Sequence, residues 1–101
     1  MLIDSKEICP MCHRRYADLT HHLIFGSAKR RLADEDKLTI EICDYCHTMG
    51  RVTERIHDNT AAEALSRMLG QALYERDRAA EGLTLDEARK KFIERYGISY
   101  L

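Results

Sequence analysis

Cys9-Pro10-Met11-Cys12 and Cys43-Asp44-Tyr45-Cys46-His47 decide how this chain is read: two CxxC pairs with thirty residues between them. A tetrahedral zinc ion takes four thiolates at about 2.3 Å. Each CxxC turn aims two sulfurs at one point and offers backbone N–H groups to support them, so two turns close one site. A thioredoxin-like redox pair would instead need a single CxxC at a helix start in a βαβ unit, a context missing here. The expectation is Zn2+ held by Cys9, Cys12, Cys43 and Cys46. With four protein ligands the ion has no open position, so its role is structural.

The rest of the chain suits a small domain that needs such a staple. At 101 residues it buries only about 60–70% of its unfolded surface. Hydrophobic residues make up 45% and charged residues 33%, a folded rather than a disordered composition. Residues 1–6 lack the basic start and long apolar run of a secretory signal, and no transmembrane stretch occurs. The expected compartment is the cytoplasm, where thiols stay reduced and bind metals. Net charge is -1, from 16 basic and 17 acidic residues. Four zinc-bound thiolates would move this to about -3, so any grip on nucleic acid must come from a local patch.

Composition changes once, near residue 59, from a Cys/His-rich half to an Ala/Leu/Arg/Glu-rich half. Residues 17–25 and 38–42 have the apolar and β-branched content of short strands, linked by a polar stretch over 26–37. The second CxxC opens a short helix over 44–51. Thr60 with Glu63 forms a capping box, followed by Ala61, Leu65, Met68, Leu69, Ala72 and Leu73 at helical spacing up to Glu81-Gly82. Thr84 with Glu87 forms a second box; Leu85, Ala88, Phe92, Ile93 and Tyr96 then line one face until Gly97 stops the helix. The two apolar stripes either pack on each other and on the zinc half or form a homodimer interface, with Ile98, Tyr100 and Leu101 available to either.

The order Cys9-Pro-Met-Cys12, Leu19-Thr-His-His-Leu-Ile-Phe-Gly26, Ile42-Cys-Asp-Tyr-Cys-His47 resembles the HNH endonucleases common in bacteriophages and prophages, over residues 7–60. The resemblance implies an α+β fold: a zinc-braced, treble-clef-like ββα-metal core over 7–59, with a helical extension over 60–101. It implies a metal-dependent DNA endonuclease that leaves a 5′-phosphate. It also implies a second ion, Mg2+ or another divalent metal, bound by His21 and His47, with His22 as general base. The chemistry needs these types: a base that works near neutral pH, and a cation for the charge developing on phosphate.

Neighbours on a strand point to opposite faces, so His21 and His22 converge only where the strand end twists or bulges, and their roles are interchangeable on parity alone. Leu19, His21 and Leu23 share the inward parity. HNH proteins usually carry an asparagine just before the second knuckle; here that region reads Asp34-Glu-Asp-Lys-Leu-Thr-Ile-Glu-Ile, and the single asparagine, Asn59, is left to support the site from the other side. His57 is read either as a further metal ligand or contact to the scissile phosphate, or as a surface residue before the helix, and His13 as exposed or as an outer support of the zinc site. Lys29, Arg30 and Arg31 make the best basic patch for a DNA backbone, with Arg51 and Arg55 as weaker candidates. Two other functions fit the same residues: a non-catalytic zinc module that binds DNA or protein, and a phage assembly protein working through its C-terminal helices.

Overall fold

The computed structural model describes residues 8–101; residues 1–6, read above for a secretory signal, and Glu7 at the edge of the expected zinc half lie outside them. The described chain is α+β. Strand β1 (Leu19–His22) leads to helix α1 (Lys29–Glu35), strand β2 (Thr39–Ile42), a π-helical turn (Tyr45–Met49), and helices α2 (Thr60–Ala80) and α3 (Leu85–Tyr96). Among the described residues no helix is long and apolar enough to cross a membrane.

The two strands pair antiparallel, with Leu19 opposite Ile42 and His22 opposite Thr39. β1 is shorter than the run 17–25 because its partner offers only four residues. After His22, Leu23 N–H still donates to Leu38 O at 2.9 Å, and the chain then turns away. The stretch 26–37, expected as a polar link, contains α1. Ala28 enters it in the left-handed region at φ 64°, Ala33 is fully buried, and Arg31 pairs with Glu35 at i,i+4. From α3, Arg95 and Tyr96 bond the α1 exit: both reach Asp36 Oδ2, at 2.6 and 2.7 Å, and Arg95 also reaches Glu35.

Helix α2 departs from its expected start and its expected face. The cap is Asn59, whose Oδ1 accepts from Ala62 N–H at 3.2 Å. Asparagine caps at least as well as threonine, so Thr60 becomes the first helical residue and Glu63 turns back toward Asp58. The inward face carries Ser66, Gly70, Gln71, Leu73, Tyr74 and Glu75; of the expected stripe only Leu73 is buried, and Leu65 is 63% exposed. Close approach decides this. A Cβ on Gly70 would meet Ile24 Cγ1 at 2.7 Å and Leu23 Cβ at 3.2 Å, so small residues rather than leucines fit against the strand exit. A homodimer contact through α2 would have to form on the outward Leu65, Met68 and Leu69 face.

Helix α3 follows its sequence signals. Thr84 and Glu87 make the reciprocal capping box, and Gly97 closes the helix at φ 83°. Ala88, Phe92 and Tyr96 are buried, whereas Leu85 and Ile93 at the stripe margins are exposed. Phe92 stacks on Tyr96 with centroids 4.5 Å apart and meets Tyr74 edge-on at 5.3 Å. One apolar cluster joins these rings to Leu23, Ile24, Leu38, Ile40, Ile42 and the knuckle cysteines.

Gly70→Ala is expected to destabilise the protein by about 1–3 kcal/mol in urea unfolding, because overpacking against buried Ile24 outweighs alanine's higher helix propensity. A gain in stability would contradict the close approach.

Burial would raise the pKa of Glu75, but hydrogen bonds from Arg89 (2.7 Å) and Gln71 (2.7 Å) outweigh it and hold the carboxyl below its usual value. The unfolded chain therefore binds this proton more readily. The stabilisation is complete above about pH 4.3 and is lost as pH falls through the depressed folded value. Arg89→Met should lower stability at pH 7 as read by urea unfolding, and the difference from wild type should shrink at pH 3.

Candidate metal centres

The first knuckle is a tight turn in which Cys9 N–H donates to Arg15 O (2.8 Å) and His13 N–H to Cys9 O (2.9 Å), with exposed His13 at φ 58°. The second begins where β2 ends; Cys46 N–H points at Cys43 Sγ (3.4 Å). All four sulfurs lie within 4.8 Å of one another. Sulfurs about 2.3 Å from a common tetrahedral centre lie about 3.8 Å apart, and Cys12 Sγ to Cys43 Sγ is 3.8 Å. The spacing suits an ion and is far too long for a disulfide.

Electrostatics favour the same ligand. Burial pushes the Cys12 thiol up, but the N–H groups of Arg14 and Arg15 and the thiols of Cys43 and Cys46 outweigh it and bring it down to about 6. Burial pushes Cys43 and Cys46 up, and for Cys46 the neighbouring thiols add to the rise. Four adjacent thiolates repel one another, and a divalent cation allows all four to stay deprotonated. These cysteines can hold a metal ion such as zinc.

A second group that could hold an ion combines His21, His47 and His57, whose ring nitrogens also fall within 4.8 Å of one another. Strand β1 supplies His21, which is 1% exposed, and the π-helical turn supplies His47, one residue after Cys46. The loop before α2 supplies His57, held by two parallel bonds to the knuckle: Ile56 N–H to Cys46 O (2.8 Å) and His57 N–H to His47 O (3.1 Å). Ring centroids are 4.5 to 5.3 Å apart. His47 Nε2 and His57 Nε2 approach to 3.0 Å, a distance that serves an N–H···N bond or two adjacent ligands about 2.1 Å from one ion. His57, read from the sequence either as a ligand or as a surface residue, lies half-buried within this cluster.

Burial first, then the neighbouring His57, His47 and His22, push the His21 pKa down to about 3. His47 is lowered by burial, then by His57 and Arg30. Both rings are neutral near pH 7, the form that ligates metals. The partners of two rings come from α2. His21 Nε2 lies 2.9 Å from Ser66 Oγ, which donates to Leu23 O (2.8 Å); His57 Nδ1 lies 3.4 Å from Glu63 Oε2, which also accepts from Asp58 N–H.

A cavity of about 370 Å³ opens over these rings, lined also by Thr20, His22, Phe25, Gly26 and Arg30. His22 stands apart from the trio of His21, His47 and His57, as strand parity requires. Its Nε2 is 3.3 Å from Asp34 Oδ1. Of the basic patch, Arg30 reaches this cavity, whereas Lys29 bonds Tyr100 OH (3.3 Å) and Arg31 pairs with Glu35. Arg55 is no free phosphate contact: it clamps the loop through Gly50 O, His57 O and Asp58. Arg51 is exposed. Asn59 is the α2 cap rather than a support for the site. Sequence reasoning missed Asp34, Ser66, Glu63 as a partner of His57, and Arg67, whose guanidinium stacks 4.1 Å over Phe25. Glu63 alone carried a signal, and it pointed to a cap.

No family model matches the chain, and neither the curated proteins nor the solved structures searched contain a match.

Cys43→Ser is expected to release one equivalent of zinc and to unfold at least residues 8–59, because metal affinity in a closed site is folding free energy. Metal content and thermal melting are the readouts; if both stay at wild-type values, the clamp is refuted.

Proposed function

We propose that the chain is a metal-dependent endonuclease of the HNH type, with a ββα-metal core formed by β1, β2 and the π-helical turn, acting on DNA. The observation that carries this reading is the convergence of His21, His47 and His57 in one cavity that also contains His22 and Arg30. In this reading His21, His47 and His57 hold the divalent ion. When bound, the ion neutralises charge developing on the phosphate and on the leaving oxygen. Three imidazoles suit a transition ion better than Mg2+, which prefers carboxylate and water oxygens.

His22 takes the proton from water. Its Nε2–H donates to Asp34, leaving the lone pair on Nδ1, and the carboxylate stabilises the imidazolium that forms. Asp34 belongs to the stretch that lacks the family's asparagine, and it supplies the orienting contact. The water oxygen bonds to phosphorus in line with the 3′ oxygen, the P–O3′ bond breaks, and a 5′-phosphate remains. Arg30 faces the same cavity and pairs with a phosphate oxygen.

The near-neutral net charge, with Lys29 and Arg31 already partnered, favours a second reading as a non-catalytic zinc module. Supercoiled plasmid with Mn2+, Ni2+ or Mg2+ separates the two. Cleavage by wild type, reduced about 10²–10⁴-fold in folded His22→Ala, supports the enzyme. Absence of cutting on every DNA form with every ion leaves the binding module.

A further inference from the structure

Helix α2 lies outside the residues that carry the HNH resemblance, yet it touches two of the three clustered imidazoles. Ser66 and Glu63 sit three residues apart on one face of its first turns, with Ser66 Oγ against His21 Nε2 and the Glu63 carboxylate against His57 Nδ1. Their chemistry restricts the rings. A serine hydroxyl has one proton, and that of Ser66 is given to Leu23 O at 2.8 Å, so toward His21 it accepts. A carboxylate only accepts.

We infer that Ser66 and Glu63 are positioning residues that set the tautomers of His21 and His57, so that a metal bound in the cluster meets Nδ1 of His21 and Nε2 of His57. His21 carries its proton on Nε2 and His57 on Nδ1, which leaves the opposite lone pairs for the ion. A neutral imidazole with its proton on the wrong nitrogen cannot ligate through that atom, and outer partners of this kind hold ring orientation as well. Gly70 completes the device: the close packing of α2 on Leu23 and Ile24 that its missing side chain permits also brings Ser66 within reach of both Leu23 O and His21. The capping arrangement matters too. Because Asn59 caps the helix, Glu63 is free to reach Asp58 N–H and His57.

This inference rests on the metal-ligand reading of the three histidines, and its test separates the two. Zinc-replete protein labelled with 15N is compared as wild type, Ser66→Ala, Glu63→Ala and Glu63→Gln by two measurements: imidazole tautomer by long-range 1H–15N correlation, and Ni2+ binding by calorimetry. The zinc retained by the four cysteines reports that each variant is folded. Wild type should show His21 protonated on Nε2 and His57 on Nδ1. Ser66→Ala should mix the His21 tautomers and Glu63→Ala those of His57, each weakening Ni2+ about 10–100-fold. Glu63→Gln, which keeps an acceptor oxygen, should retain the His57 tautomer and lose less affinity. If either readout keeps its wild-type value in both alanine variants, the inference is overturned. If wild type takes up no Ni2+, the metal-ligand reading fails, and the tautomers alone then decide what Ser66 and Glu63 do.

Discussion

The convergence of four cysteine sulfurs from two distant CxxC turns, a set that can hold a metal ion such as zinc, is the constraint on which the remainder of this molecule depends. Cys9 and Cys12 come from a turn with little secondary structure of its own; Cys43 directly follows a four-residue strand, and Cys46 lies in the π-helical turn after it. One ion shared by the four sulfurs would join them and clamp β2 and the π-helical turn; three of the four cysteines are buried with the apolar core. The β1–β2 pairing and the loop that carries His57 are then anchored to this clamp by backbone bonds.

The histidine centre inherits its geometry from that scaffold. A short antiparallel pair presents one face inward, which buries His21 and turns His22 toward α1 and Asp34. The difficulty that parity raised for two adjacent histidines disappears once they need not share a role. One joins His47 and His57, and the other lines the cavity a short way off. Burial keeps His21 neutral far below its ordinary range, so it is already in its ligating form near neutral pH.

Local signals were legible wherever the deciding interaction was itself local. The CxxC pairs, the Thr84–Glu87 box and Gly97 depend on residues within a few positions of one another, and each appears where its spacing says. The α2 face was misread because its choice is made elsewhere in the chain: Ile24 and Leu23 admit only Gly70 and Ser66, and an apolar stripe has no way to register that steric limit. The same holds for the site. His21 and His47 stood out by motif, and His57 was ambiguous until the loop bonds set it beside them. Asp34 and Ser66 lie 12 and 45 residues from the histidines they touch, so no short pattern marks them. Helix α1 was hidden for another reason: its seven residues hold one fully buried side chain, too few to show a period.

Cys46 and His47 are joined by a single peptide unit, yet one faces the sulfur cluster and the other the imidazoles. The π-helical turn makes this divergence natural, with Gly50 N–H reaching back to Tyr45 O across the widened loop. The two centres thus share a hinge of one covalent link. With an ion held by the sulfurs, its loss to a chelator or to an oxidant of the thiols would slacken the same backbone that aims His47 and, through its carbonyl, His57. An agent that never enters the imidazole pocket would then distort it, and the thiols' chemical state would govern whether the pocket keeps its shape.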